Sequence, residues 1–224
     1  MDTPGLLDIG YQVFCAFPAI AGIACYRYLS KAARILVLYY ILVVIVELFS
    51  RFIMRSGHTN IWLYHFFDPF EYLAIALAFS YWIANQKLKK ALRYSIPGFI
   101  IISIANSIRM PDIYHYSYDA LSVAYVVYAL ISSYTIYEII IGERGVVTSN
   151  PVFWLAASLL MMSVNNELWY ALHDTWVKTE YYLLIFNLHN IFNIISFVFS
   201  TFGIIRFRHL DKVEKASEVS VYWN

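Results

Sequence analysis

Charged side chains are scarce: Asp, Glu, Lys and Arg make up 14% of the 224 residues, where a soluble domain carries about 25%. With 61% apolar and 19% aromatic side chains and a mean hydropathy of +0.60, the chain cannot clothe a water-facing surface. A soluble enzyme and a disordered scaffold are therefore excluded. An excess of one charge sign is missing too. The formal net charge is +1, which gives no basic field for a polyanion, so no nucleic acid is expected as a partner. Cysteine is nearly absent. Cys15 and Cys25 share one apolar segment, about 15 Å apart along a helix, which is beyond disulfide reach and unsuited to a zinc cluster. No Lys or Arg precedes the first apolar stretch; without the basic start of a cleavable signal peptide, that stretch is expected to stay in the membrane.

What is abundant is apolar runs of about 20 to 25 residues, each long enough to cross about 30 Å of hydrocarbon. Seven spans are predicted, near 7–28, 33–54, 60–85, 92–109, 117–141, 151–173 and 181–206. The breaks are short and polar: Ser30-Lys31, Arg55-Ser56-Gly57-His58, Gln86 to Lys90, Met110-Pro111-Asp112, Gly142 to Pro151 and Asp174 to Glu180. The expected fold is all-α, a polytopic seven-helix bundle with the lipid bilayer as its first partner. No break holds a second domain, so residues 1–206 read as the transmembrane domain and 207–224 as a short cytoplasmic tail. That tail is too short for an output domain, and a sensor of this form would signal through a separate cytoplasmic partner.

Lys and Arg favour cytoplasmic loops. With the N-terminus outside, the inner side holds Arg27, Lys31, Arg34, Lys87, Lys89, Lys90, Arg93, Arg144, Arg206, Arg208, Lys212 and Lys215, and the outer side only Arg51, Arg55, Arg109 and Lys178. The prediction is N-outside, C-inside. Trp62, Trp169 and Trp176 at outer ends and Trp82 and Trp154 at inner ends suit interfacial indoles. An offset of 120 residues also sets Glu47-Leu48 on Glu167-Leu168, Thr59 on Thr179, Leu63 on Leu183 and Phe79-Ser80 on Phe199-Ser200, a weak echo of a parallel 3+1+3 repeat.

Ionisable residues inside a bilayer cost a few kcal/mol each on insertion scales and are functional candidates. Here they are Glu47, His65, Asp68, Glu71, Asp119, Glu138, Glu167 and His189, joined by Asn165, Asn166, Asn187, Asn190 and Asn193. From the outer boundaries, Glu47, His65, Asp68, Glu71, Asn165, Glu167, His189 and Asn190 fall about 6 to 18 Å deep. Scattered tolerance of polar residues would not gather them at one level. The candidate ligand-binding set is therefore Glu47, His65, Asp68, Glu71, Asn165, Asn166, Glu167, His189, Asn190 and Asn193. Glu138, near an inner end, is read as reaching the interface.

In span 3, His65, Asp68 and Tyr72 recur at i, i+3 and i+7, with Glu71 on the flank; in span 7, His189, Asn190, Asn193 and Ser200 form a polar stripe. Pro69 is expected to kink span 3 and free a carbonyl. If a metal is bound, His65, Glu71, Glu167 and His189 are its candidate ligands, although HExxH, HxxxH and ExxH are all missing. A buried polar network is the plain alternative, yet such contacts contribute only about 0.6 kcal/mol each, and several carboxylates at one depth oppose one another. A site for something polar or cationic, or for protons, is the preferred reading. Tyr125, Tyr128, Tyr134 and Tyr137 along span 5 are either packing or the wall of a cavity.

Span 7 has no lysine, so a retinal Schiff base is excluded, and the DRY and NPxxY motifs of rhodopsin-like receptors are missing. The alkaline ceramidase and adiponectin receptor class carries paired histidines on its last span, where this chain has His189 with Phe192 and Asn193. The segments Leu63-Tyr64-His65-Phe66-Phe67-Asp68-Pro69-Phe70-Glu71-Tyr72-Leu73 and Asn187-Leu188-His189-Asn190-Ile191-Phe192-Asn193-Ile194 resemble those of a family of uncharacterised seven-helix bacterial inner-membrane proteins. The resemblance implies a multi-pass protein of the bacterial inner membrane and brings no activity or cofactor. Three functions are expected in order: a sensor or binding module with an outward-facing pocket for a small ligand or ion, a small proton-coupled transporter, and an intramembrane metal-dependent hydrolase.

Overall fold

The computed structural model describes residues 6–109, 118–142, 146–176 and 179–221, and every regular element among them is helical. The helices are α1 (Leu6–Cys25), α2 (Lys31–Arg55), α3 (Ile61–Trp82), α4 (Gln86–Arg109), α5 (Tyr118–Gly142), α6 (Pro151–Trp176) and α7 (Tyr182–Val221).

The polar breaks act as caps. Ser30 Oγ accepts from the Ala33 amide at 3.3 Å and starts α2. Asn150 Oδ1 accepts from the Val152 amide at 2.8 Å ahead of Pro151, which needs no donor at the first position of α6. At the end of α2, Gly57 takes φ +79°, its amide bonds Met54 O at 3.0 Å and the His58 amide bonds Ile53 O at 3.2 Å. That paired closure requires the left-handed residue glycine supplies. Two boundaries differ from the sequence reading. α4 begins at Gln86 rather than near 92, because Asn85 Oδ1 caps the Lys87 and Leu88 amides at 3.0 and 3.3 Å and lysines are good helix formers. α7 runs on past 206 to Val221, through the stretch read as a tail.

Five helices, α1, α2, α4, α5 and α7, are long and apolar enough to cross a membrane. The other two, α3 and α6, carry His65, Asp68 and Glu71 or Asn165, Asn166 and Glu167, which dilute their hydropathy. The burial pattern differs from that of a soluble bundle in its outward apolar face and its buried serines. Ile20, Leu38, Leu48, Phe52, Ile101 and Ile108 are exposed, whereas Ser50, Ser80, Ser132, Ser158, Ser163, Ser196 and Ser200 are buried. Apolar side chains face outward because lipid is as apolar as they are, and small residues let helix backbones approach. The chain is a multi-pass helical membrane protein.

α1 packs on α2 and α7, α2 on α3, α3 on α5, α5 on α6, and α6 on α7. Six helices thus close a ring, and α4 stands outside it, against α3 and to a lesser extent α5. Close approach between α1 and α2 depends on Gly22, where an added Cβ would lie 2.4 Å from Val37 Cγ2. Deep in the ring Ser158 Oγ bonds Ser196 O at 2.7 Å and Ser200 Oγ at 2.6 Å, and Tyr40 Oη reaches Ser200 Oγ at 2.5 Å, tying α2, α6 and α7 together.

Candidate functional site

Inside the ring lies a cavity of about 120 Å³, roomy enough for several waters or one small polar molecule. All six ring helices line it: Tyr11 from α1; Tyr39, Val43 and Glu47 from α2; Tyr64, Phe67, Asp68 and Glu71 from α3; Leu121 and Tyr125 from α5; Met162, Asn166 and Tyr170 from α6; His189, Asn193 and Phe197 from α7. These positions cluster toward the starts of α1, α3, α5 and α7 and the ends of α2 and α6. The cavity therefore occupies one end of the bundle, opposite the end that carries Arg27, Lys31, Lys87, Lys89, Lys90 and Arg208.

Of the ten residues named from sequence, Glu47, Asp68, Glu71, Asn166, His189 and Asn193 line this cavity and the other four do not. The helical phase of α3 explains part of the split. Its cavity face is Tyr64, Phe67, Asp68 and Glu71, spaced i, i+3, i+4 and i+7, not the expected face of His65, Asp68 and Tyr72. α4 draws that other face outward: His65 Nδ1 pairs with Ser107 Oγ at 3.2 Å, and Tyr72 Oη with Ser95 Oγ at 2.8 Å while its ring stacks on Phe99 at 4.1 Å. His65 sits in a separate crevice of about 10 Å³, room for about one water, between α3, α4 and α5; Asp68 lines both spaces. α3 continues through Pro69 as one helix.

Asn165 stands behind the lining. Its Nδ2 donates to His189 O at 3.1 Å and to Asn193 Oδ1 at 3.2 Å. Glu167 faces α5 instead, where it accepts from Ser122 Oγ. Asn190 is buried outside the lining, with Nδ2 unpartnered. Glu138 lies near the opposite end and accepts from the Ala84 amide at 3.0 Å, a cap for the α3–α4 turn rather than a free interfacial carboxylate. The Asp119 side chain lies outside the described residues. Because His65 and Glu167 face away from Glu71 and His189, the four conditional metal ligands do not converge, and among the described residues no three His, Cys, Asp or Glu side chains are grouped to hold a metal ion.

Within the cavity the carboxylates are met by tyrosines. Tyr11 Oη donates to Glu47 Oε1 at 3.3 Å and Tyr39 Oη to Glu71 Oε2 at 3.1 Å, with the Tyr125 hydroxyl beside the same carboxyl. Glu71 is only 6% exposed, and its second oxygen, Oε1, has no partner. His189 is held by Asn193 Nδ2 on Nε2 at 3.0 Å and by the Trp169 ring at 4.8 Å, while its Nδ1 is buried and unpartnered. Five cavity tyrosines come from five helices: Tyr11 (α1), Tyr39 (α2), Tyr64 (α3), Tyr125 (α5) and Tyr170 (α6). Only Tyr125 was singled out from sequence. Tyr128 is fully buried in packing against Tyr72 and Tyr125, and Tyr134 and Tyr137 lie elsewhere. The signal available for the missed tyrosines was their depth, which matches that of the acidic residues.

A half-turn of the ring order carries α1, α2 and α3 onto α5, α6 and α7, the relation required by the 120-residue offset. Its acidic pair does not share an environment, since Glu47 lines the cavity and Glu167 does not.

Ring, cavity and outward apolar surface define a polytopic helical membrane protein with a polar chamber enclosed by its helices. Comparison with family models, curated proteins and solved structures finds no match.

Proposed function

We propose that this chain spans the bilayer seven times, N-outside and C-inside, and that its cavity faces outward and binds a small polar ligand or ion as a sensor or binding module. The observation that carries the reading is a chamber inside the ring whose wall gathers Glu47, Asp68, Glu71, Asn166, His189 and Asn193 from four helices. Polar side chains are costly in a bilayer and mark functional sites where they gather in its interior. The orientation rests on basic residues gathering at the end opposite the cavity, as cytoplasmic ends do. The bacterial inner membrane rests on the resemblance of the α3 and α7 segments. A signalling partner on the cytoplasmic side belongs to the same proposal.

A thermal-shift screen of the purified full-length protein against small polar solutes tests it. At least one solute raises the unfolding midpoint saturably, His189→Ala abolishes that rise, and His65→Ala and Glu138→Gln retain it. A screen without any saturable shift, or equal loss in all three variants, contradicts the reading.

The half-turn relation of the helix order favours a second reading, a small transporter coupled to protons. Uptake of the same solute into proteoliposomes, driven by a proton gradient and lost in Glu71→Gln, decides for it. A metal-dependent hydrolase has no such support, since its conditional ligands are dispersed.

A further inference from the structure

We propose that the protein seats an anionic phospholipid at the end opposite its cavity, with the headgroup phosphate between Lys31 and Arg93 and the acyl chains along the outer side of α3. Two cations from different helices meet there on one ring. Lys31 Nζ of α2 lies 5.1 Å, and Arg93 Cζ of α4 5.4 Å, from the centre of the Tyr81 ring, both within cation–π reach. Arg93 is held in that position, since its Nε donates to Ser80 Oγ at 3.1 Å. Lys31, Tyr81 and Arg93 are all exposed, and among the described residues no carboxylate pairs with either cation. The described carboxylate at this end, Glu138, accepts from the Ala84 amide instead.

Local electrostatics makes this gathering unfavourable without an anion. α2 and α4 both begin at this end, and a helix start is partially positive, so a cation in its first turn is disfavoured. Lys31 opens α2 and Lys87 follows Gln86 in α4, with no Asp or Glu in the first turn of either. The preference of Lys and Arg for one side of a membrane accounts for their number. It does not account for Lys31 and Arg93 turning to one ring, because like charges on long side chains repel and are free to separate. A phosphate between them reverses both penalties. What lies beyond the charges selects a lipid over a free anion. Leu38 follows Lys31 by two turns of α2, Phe70 precedes Tyr81 by three turns of α3, and Ile104 follows Arg93 by three turns of α4, so each shares a face with its partner. These three are 57%, 57% and 54% exposed, and they lie about 10 to 17 Å further along their helices. A headgroup held by the two cations therefore continues onto an outward apolar strip of about the depth of one leaflet, which a soluble phosphate would not use.

Native mass spectrometry of the full-length protein, titrated in detergent with dioleoyl phosphatidylglycerol, dioleoyl phosphatidylcholine and glycerol phosphate, tests this. Phosphatidylglycerol is expected to bind at least about tenfold tighter than phosphatidylcholine, as Lys and Arg near the surface favour anionic lipid, and glycerol phosphate is expected not to bind. Changing both Lys31→Gln and Arg93→Gln should bring the two lipids level. Changing both Lys87→Gln and Arg208→Gln removes the same charge from the same end without touching the Tyr81 pair, and should keep the preference. Equal binding of the two lipids by the wild type, equal loss in both double variants, or glycerol phosphate binding as tightly as phosphatidylglycerol overturns the proposal. If the Arg93 change does not fold, Lys31→Gln alone is compared with Lys87→Gln, and a preference untouched in Lys31→Gln overturns it. The cavity reading stands or falls separately, because none of these residues lines the chamber.

Discussion

Glu71 and His189 reach the same chamber from helices far apart in sequence, and each is held on one side by a neighbour. Tyr39 orients the first and Asn193 the second. Such prior orientation is what a preorganised binding group needs, because the cost of alignment is met before the ligand arrives. It also makes a spectroscopic prediction. With Asn165 and Asn193 fixing the amide orientations, histidine-selective ¹⁵N NMR should show His189 as the neutral Nδ1–H tautomer, its signal assigned by loss in His189→Asn. Asn165→Ala should then weaken that preference, since Asn193 becomes free to turn. A dominant Nε2–H form in the wild type contradicts the chain of donors.

Residue identity and depth were legible in the sequence, whereas facing was not. A rise of 1.5 Å per residue suffices to put Glu47, Asp68, Glu71 and His189 at one level. Which neighbour each meets depends on the order of helices around the ring, which no local pattern encodes. His65 is the clear case. Its spacing to Asp68 and Tyr72 marks a genuine shared face, but α4 covers part of that face and supplies Ser107 and Ser95 as partners. Tyr11, Tyr39, Tyr64 and Tyr170 were hidden for another reason: among twenty tyrosines, ring packing and hydroxyl donation leave the same trace in sequence.

At the scale of elements, the bilayer itself makes the helices readable. Backbone polar groups in hydrocarbon must be paired within the segment, so an apolar run of span length has one available structure. Boundaries depend on caps, and the Lys-rich stretch at the start of α4 reads as a break until Asn85 is recognised as its cap. Contacts between elements depend on small residues. Gly22 is the sharpest instance, since a Cβ there meets the stiff, fully buried Val37 at 2.4 Å. Gly22→Ala is expected to destabilise the protein by about 1–3 kcal/mol through overpacking, seen as a lower thermal midpoint in detergent. Val37→Ala in the same chain should recover part of the loss. An unchanged midpoint for Gly22→Ala contradicts the tight α1–α2 seat.

For the whole molecule, the two helices least able to cross a membrane on composition, α3 and α6, carry much of the polar wall of the chamber. Their deficit in hydropathy and the cavity are one fact seen twice, because side chains costly in lipid are tolerated where the ring shields them. The central claim is that this chamber opens to the outer side and is acidic. The most direct measurement places a cysteine in its wall, Met162→Cys, in intact cells, with the unsubstituted chain as control for the buried Cys15 and Cys25. Membrane-impermeant methanethiosulfonate reagents of opposite charge are then applied from outside. The account predicts modification from outside, faster by about tenfold for the cationic reagent because an acidic cleft concentrates cations. Modification only after the cytoplasmic face is exposed, or a faster reaction with the anionic reagent, contradicts it.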